Sequence, residues 1–318
     1  MPDRLGPPLE TPVFDTLTLV GLGLIGSSLA RVARRKNLAK TIIAVDANDT
    51  VRARVAELNL ADHVTGDVCE GVKNADCVIL CVPVGACGSV AEAMAPALKK
   101  GAIISDVGSV KGSIVAQVEP HVPEGVHFVP AHPVAGTEYS GPDAGFPTLF
   151  LNRWCIITPP EGQDVGAIKT TRAFWEGAGS NVEEMTPAHH DLVLAITSHL
   201  PHLIAYNIVG TAADLEAVTQ SEVIKFSAGG FRDFTRIAAS DPTMWRDVFL
   251  NNKDAVLEML GRFTEDLSTL QRAIRYGDGE TLFNHFTRTR AIRRSIIEIG
   301  QDSATPDFGR QSKDDPAQ

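Results

Sequence analysis

Hydrophobic positions along this chain follow two different rhythms. Up to residue 185, short runs dense in Val and Ile alternate with longer amphipathic stretches. The runs are 14–20, 41–45, 76–82, 102–106, 126–129 and 154–158, each bounded by Gly, Pro or Asp, as strands buried on both faces should be. Between them, 24–35, 50–58, 85–98, 109–118 and 164–177 carry helical spacing. This alternation predicts an α/β Rossmann-type fold, a doubly wound parallel sheet with helices on both faces.

Beyond Met185 the texture changes. From Thr186 to Gly300 helical spacing dominates and no strand pattern recurs. Leu192, Ile196, Leu203 and Ile204 stripe one helix, and Val248, Leu257, Leu260 and Phe263 mark another region. Residues 282–299 read as a last helix with Arg288, Arg290, Arg293 and Arg294 on its wet side. The expected organisation is a leader (1–15), an α/β domain (16–185), an all-helical domain (186–300) and a polar, disordered tail (301–318). A helical domain of this size carries apolar stripes that its own helices do not cover, so a homodimer through it is expected.

Charge narrows the partners. Lys and Arg total 29 against 39 Asp and Glu, a net charge of −10 over 318 residues. Such a chain gains nothing electrostatically from nucleic acid or an anionic bilayer, so neither is an expected partner. Cys69, Cys77, Cys81, Cys87 and Cys155 form no CxxC pair, which argues against a disulfide scaffold and against a zinc cluster. The proline-bearing start lacks the basic and apolar regions of a signal peptide, and no uninterrupted apolar run reaches about 18 residues. A reduced cytoplasmic location is expected.

The first strand runs straight into Gly21-Leu22-Gly23-Leu24-Ile25-Gly26. A lone GxGxxG is weak, but here a strand precedes it, a helix follows it, and Asp46 ends the next strand about 20 positions on. Gly21 makes the tight turn, Gly23 lets backbone approach a pyrophosphate, and Gly26 lets helix and strand pack closely. The amides of Leu24, Ile25 and Gly26 at the helix start suit the phosphates. Asp46 suits the adenosine ribose hydroxyls and would repel a 2′-phosphate, while Ala47, Asn48 and Asp49 offer no cation to neutralise one. The expected cofactor is NAD. Cys81-Val82-Pro83 ends the fourth strand and should lie against it, with Pro83 removing a backbone donor. Cys81 and Cys87 read as small buried hydrophobes.

Four further segments carry polar residues where packing alone would not need them. Ser109, in Asp106-Val107-Gly108-Ser109-Val110-Lys111, is either a helix N-cap or a hydroxyl presented to a ligand, and the two roles are compatible. His132, in His132-Pro133-Val134-Ala135-Gly136-Thr137-Glu138, follows a strand at the edge where open sheets bind ligands. His199 and His202 lie three apart, on one face of a helix that Pro201 should kink. Two histidines without a third ligand do not make a zinc site, so no metal is expected. Asp233 and Arg236 can pair on one helix face, and Arg236 is also a fork for a substrate carboxylate.

Taken together, the glycine loop, 106–111, 132–136, Ser198-His199-Leu200-Pro201-His202 and Asp233-Phe234-Thr235-Arg236 resemble the prephenate/arogenate dehydrogenase family of tyrosine biosynthesis, most closely its bacterial cyclohexadienyl dehydrogenase members. The resemblance spans about residues 16–300 and implies a 6-phosphogluconate-dehydrogenase-like architecture with a helical dimerisation domain. By motif it implies His132 as the catalytic histidine on the ring hydroxyl and Ser109 as its hydroxyl partner. It implies Arg236 as the carboxylate grip, held by Asp233 and Glu138. His199, His202, Thr137, Gly229 and Trp245 are implied around the substrate. With a leader and tail this short, no mutase or regulatory module is expected. Val134 stands where other members carry a larger apolar residue, which puts nothing in doubt.

The expected reaction is NAD-dependent oxidative decarboxylation of prephenate, arogenate or both. Two alternatives share parts of this pattern. A β-hydroxyacid or imine dehydrogenase would look to a lysine or other acid on the helical half, and the histidine-rich 198–202 segment argues against it. A non-catalytic NAD-sensing module would not need His132, Ser109 and Arg236 together.

Overall fold

The apolar runs pair side by side because each is too short and too uniformly hydrophobic to face water. In the computed structural model, which describes residues 5–219 and 229–298, six parallel strands form the main sheet in the order β3-β2-β1-β4-β5-β6. They are β1 (Phe14–Val20), β2 (Ala39–Val45), β3 (His63–Thr65), β4 (Cys77–Leu80), β5 (Ile103–Asp106) and β6 (His127–Phe128). The order reverses between β1 and β4, where Val20 lies beside Leu80. A crevice opens there at the carboxyl ends of the strands, the usual ligand position in open sheets. Helices α1 (Leu24–Lys36), α2 (Asp49–Glu57), α3 (Val68–Val72), α4 (Cys87–Met94) and α5 (Lys111–Val118) connect the strands.

Two corrections concern the strands. The run ending at residue 158 does not join the main sheet. Its strand β8 (Trp154–Ile157) pairs antiparallel with β7 (Ala131–Pro133) and parallel with β9 (Asn181–Glu184), making a second, three-stranded sheet. Helix α6 (Val165–Gly177) connects β8 to β9. His132 therefore sits within β7, opposite Ile156, rather than in a turn beyond a strand. The strands β3, β7 and β9 escape the hydrophobic pattern for physical reasons. Each is three or four residues long, and β9 is the polar edge Asn-Val-Glu-Glu.

Each face of the main sheet has its own core. One gathers Leu17, Leu19, Leu29, Ile42, Phe174 and Trp175. The other gathers Val78, Leu80, Ile104, Ile114 and Phe128 and also takes in Trp245 and Val248 from the helical part. Burying each such side chain contributes about 1.5–3 kcal/mol. That shared core is one reason the compact units divide late, as Met1–Val256 and Leu257–Gln318, rather than near residue 185.

Within the first unit, α7 (Pro187–Leu194) continues through a π-helical turn, Ala195–His199, into α8 (Leu200–Thr219). Pro201 becomes the second residue of α8, so the wide turn takes up the missing donor in place of a sharp break. The run Pro187–Asp214 contains an 18-residue window of mean hydropathy 1.5, of which 28% is buried. One helix among the described residues is thus long and apolar enough to cross a membrane, which corrects an expectation built on uninterrupted apolar residues. Asp191 in this run bonds the amides of α5, and His199 bonds Asn252. Those buried polar ties anchor one side of the run, while Leu192, Ile196, Ile208 and Val209 are exposed.

The second unit contains the end of helix Lys253–Tyr276, a turn at Gly277 with φ +69°, and helix Gly279–Glu298. Asp278 starts the last helix by accepting from the amide of Thr281 at 3.0 Å. Arg288, Arg290, Arg293 and Arg294 are exposed, but so are Leu267, Ile274, Phe283, Phe286 and Ile292. The tail 301–318, expected to be disordered, and the first four leader residues lie outside the described residues, as does the last residue of the 282–299 helix.

Candidate active site

The site begins at the β1–α1 turn. Gly21 has φ +94°, and a Cβ there would meet the Cys81 carbonyl oxygen at 2.6 Å. A Cβ on Gly26 would lie 2.1 Å from the Gly21 oxygen, so strand, loop and helix touch only because both positions are bare. At Gly23 an added Cβ would meet nothing within 4 Å, and no side chain caps the start of α1, where Leu24 and Ile25 are half-buried. Asp46 stands beside this opening. Its carboxylate accepts from the amides of Leu22 and Asn48, each at 2.9 Å, and keeps lone pairs for a ribose. The open face, the uncapped helix and this carboxylate fit a dinucleotide.

Arg52 supplies a cation that reading positions 47–49 alone overlooks. Its guanidinium donates to the Asp46 carbonyl at 2.6 Å and pairs with Asp49. On the other side, Cys81 and Val82 pack against the glycine turn, and Pro83 opens a 3-10 turn, Val84–Ala86. Burial pushes both thiols up, that of Cys87 to about 12, so they are inert apolar groups at neutral pH.

Next comes a buried polar seam. Lys111 and Asp106 are fully buried and paired, and Lys111 Nζ also donates to the Ala131 carbonyl at 2.7 Å. Asp106 in turn accepts from the amides of Gly108 and Ala131 at 2.8 and 3.3 Å. Ser109 is not the N-cap of α5. Val110 occupies that position without a side-chain bond, and the amides of Lys111 and Gly112 donate instead to Asp191 of α7 at 2.7 and 2.8 Å. Ser109 sits one residue too early for capping and lies half-buried in the β5–α5 turn.

His132 is 6% exposed in β7, with Nδ1 2.8 Å from Nε2 of His190. His190 Nδ1 lies 2.8 Å from Asp191 Oδ1. Burial holds His132 well below the usual imidazole value, and His190, Lys111 and His199 add to the effect. Burial also lowers His190, against the pull of Asp191. His199 falls to about 4 for the same first reason. His190, Asp191 and Asn252 join this seam from outside every motif read in the sequence, and Asp106 and Lys111 lie inside the 106–111 motif without having been singled out. The available signal was a His-Asp pair in the first turns of a predicted helix.

The outer part is aromatic. His202 stacks on Trp245 with centroids 3.6 Å apart, and His199 meets the same indole edge-on at 6.1 Å. The Asn252 amide lies 3.0 Å from His199 Nδ1 and donates to the Asp191 carbonyl at 2.9 Å. Arg236 bears electrostatically on His202, as His199 does on His132. Contacts thus run from His132 through His190, Asp191, Asn252, His199 and Trp245 to His202, on which the Arg236 charge acts.

The expected Asp233–Arg236 pair is corrected. Arg236 starts a 3-10 turn after helix Gly229–Thr235 and pairs with Glu138 at 3.3 Å, while Asp233 stays exposed on the helix. Asp233 and Gly229 are exposed on that helix. The Thr137 hydroxyl accepts from the amide of Tyr139 at 3.3 Å.

These lowered histidines carry a stability signature. A group whose folded-state pKa lies below its unfolded value, about 6.5 for His, destabilises the fold as pH falls between the two. For His199 that window is 6.5 down to about 4, with a slope of up to about 1.4 kcal/mol per pH unit. The urea midpoint should therefore hold steady from pH 8 to 7 and fall between pH 6.5 and 4.5. A midpoint independent of pH across that range would contradict the burial of neutral imidazoles.

Known proteins place the chain. A family model described as prephenate dehydrogenase, nucleotide-binding domain, matches residues 29–184, and one described as prephenate dehydrogenase, dimerization domain, matches residues 186–288. A cyclohexadienyl dehydrogenase of Zymomonas mobilis is 45% identical over 284 residues, covering 89% of this chain and 97% of that one. A prephenate dehydrogenase of Bacillus subtilis is 34% identical over 92% of this chain and 79% of its own length. The crystal structure of prephenate dehydrogenase from Aquifex aeolicus with hydroxyphenyl propionate and NAD+ superposes with a TM-score of 0.83 at 33% identity, over 91% of this chain and 99% of that one. With both family models matched in sequence and relatives at 45% and 34% identity over most of its length, the chain belongs to the prephenate dehydrogenase family.

Proposed function

We propose that this protein catalyses the NAD-dependent oxidative decarboxylation of prephenate or arogenate, giving 4-hydroxyphenylpyruvate or tyrosine. The observation that carries the reading is the chain of contacts from His132 through His190, Asp191, Asn252, His199 and Trp245 to His202, with the Arg236 charge acting on its far end, which would offer one small molecule a base and a carboxylate fork. Family membership favours a dehydrogenase over the β-hydroxyacid and NAD-sensing alternatives. In this reading residues 16–185 serve the cofactor and 186–300 serve the substrate and subunit contact. The Aquifex relative was crystallised with NAD+, and the glycine loop with Asp46 fits the same cofactor here.

Bound NAD supplies the hydride acceptor. His132, kept neutral by burial, takes the proton of the C4 hydroxyl as hydride leaves C4. The C4–O bond gains carbonyl character, the C1 carboxylate departs as CO2, and the returning electron pair makes the ring aromatic. The phenolate oxygen then recovers the proton from His132. Ser109, half-buried in the β5–α5 turn, presents its hydroxyl to the substrate in the proposal. Arg236 binds a substrate carboxylate, with Glu138 orienting its fork.

We also propose a homodimer. Exposed Leu267, Ile274, Phe283 and Phe286 in the second unit, and exposed Ile196, Ile208 and Val209 in the first, are apolar positions that a partner would cover. The match to a dimerization domain supports it. Five unpaired cysteines fit a cytoplasmic enzyme.

Three measurements check these proposals. The parent protein should reduce NAD when given prephenate or arogenate, and His132→Asn should lower kcat by about 10²–10⁴ while NAD affinity stays close to the parent's. Near-normal turnover in that variant would remove His132 from the reaction. Arg236→Gln loses a charge-assisted contact of about 1.5–3 kcal/mol, which should appear as a KM raised about 10- to 100-fold with kcat largely kept. A collapse of kcat at constant KM would contradict a binding role. Sedimentation equilibrium at micromolar concentration should give twice the chain mass; a monomer mass refutes the dimer.

A further inference from the structure

The bond between His132 and His190 joins two imidazoles, so at neutral pH only one proton lies between them. Where that proton sits decides which nitrogen of His132 is basic. The arrangement beyond His190 answers the question. Asp191 accepts from the amides of Lys111 and Gly112 at 2.7 and 2.8 Å, and from a ring nitrogen of His190 at 2.8 Å. Two backbone donors hold it as a carboxylate, which has no proton to offer, so Nδ1 of His190 carries the hydrogen. Nε2 of neutral His190 is then a lone pair, 2.8 Å from His132 Nδ1. The His132 nitrogen must donate, since the other tautomer would face two lone pairs across a buried gap.

We propose that His190 and Asp191 are positioning residues that hold His132 as its Nδ1–H tautomer, leaving Nε2 as the base for the substrate hydroxyl. This rests on the reading of His132 as the base. Among the described residues, the other groups bearing on His132 are committed elsewhere. Lys111, from α5, is bound by Asp106 of β5 and by the Ala131 carbonyl. His199, from the π turn, lies beside Asn252 and Trp245. Cys155 of β8 presents a buried thiol held in its neutral form. Only the α7 pair supplies an acceptor backed by an anion. When Nε2 takes a proton, the imidazolium keeps its Nδ1–H bond to His190, and the Asp191 charge lies one ring beyond.

The test reads the tautomer and the kinetics separately. In full-length protein labelled with 15N-histidine, the ring resonances that vanish in His132→Asn identify His132. At pH 7.5 its Nδ1 should be protonated and its Nε2 bare, and the reverse overturns the proposal whatever the activity. His190→Leu removes the acceptor and should lower kcat by about 10- to 100-fold, the usual cost of losing such an orienting partner. KM for prephenate should stay near the parent value. His190→Gln can return a carbonyl oxygen to the place of Nε2 and should recover most of the loss. A kcat within about twofold of the parent in His190→Leu, or equal damage from Leu and Gln, would each overturn the proposal. If His190→Leu fails to fold, the parent's tautomer decides. Normal turnover in His132→Asn would instead strike the base reading, leaving the tautomer measurement standing on its own.

Discussion

Much of this structure depends on one buried carboxylate. Asp191 reaches from α7 to the start of α5, where it satisfies two amides that no residue of α5's own turn covers. The first amides of a helix have no partner within the helix, and leaving them buried and unpaired is costly. The start of α5 is therefore held by the helical part of the chain rather than by its own sequence. The same carboxylate bonds His190, and His190 meets His132 of β7. One side chain thus joins the main sheet's α5, the second sheet's β7 and the helical segment. A shift of any of the three would cost bonds in the other two.

The buried cation beside this junction has a chemical consequence. A buried ion pair such as Lys111–Asp106 is weak evidence for stability, because desolvating both groups offsets their attraction. Its effect on the neighbours is clearer. Lys111 depresses both His132 and His190, adding to their burial. An imidazole that resists protonation is the form a base needs before it acts. The pair also closes the chain geometrically, since Lys111 bonds the Ala131 carbonyl next to His132 while Asp106 meets the Ala131 amide. Stability and reactivity are set here by the same few atoms.

Legibility in the sequence followed the range of the interactions. The alternation of Val-rich runs and amphipathic stretches reports local burial, so β1, β2, β4 and β5 and their connecting helices were readable. The glycine loop was readable because its rule concerns neighbouring backbone: Gly21 and Gly26 have no room for a Cβ within their own turn and the strand beside it. What escaped was set at long range. The strand β7 is three residues whose pairing with β8 comes from a segment about twenty positions on, a separation that no period of two reports. Ser109 looked like a cap because capping residues are usually local, and Asp191, eighty positions away, took the task. The Asp233–Arg236 spacing assumed a continuous helix, and the 3-10 turn at Arg236 broke that assumption. His190 hid because an isolated His-Asp dipeptide is common on helix surfaces, and only the tertiary contact with His132 gives it meaning.

The two ends of the site also differ in charge, and that difference orients a ligand. At the inner end every imidazole is lowered by burial, and Lys111 is matched by Asp106, so an approaching anion meets no free cation there. At the outer end, burial lowers His202 and Arg236 adds to the effect, which leaves the guanidinium as the positive group of that cluster. Glu138 takes one edge of the fork at 3.3 Å, and a guanidinium has five donors, so a second carboxylate can bind without displacing the first. In the proposed reading, an anionic substrate with a hydroxyl at one end is drawn carboxylate-first toward Arg236. Its uncharged end is left for the neutral base. The polarity of the site follows from a cation that is buried and matched at one end and a cation that is half-exposed and only partly matched at the other.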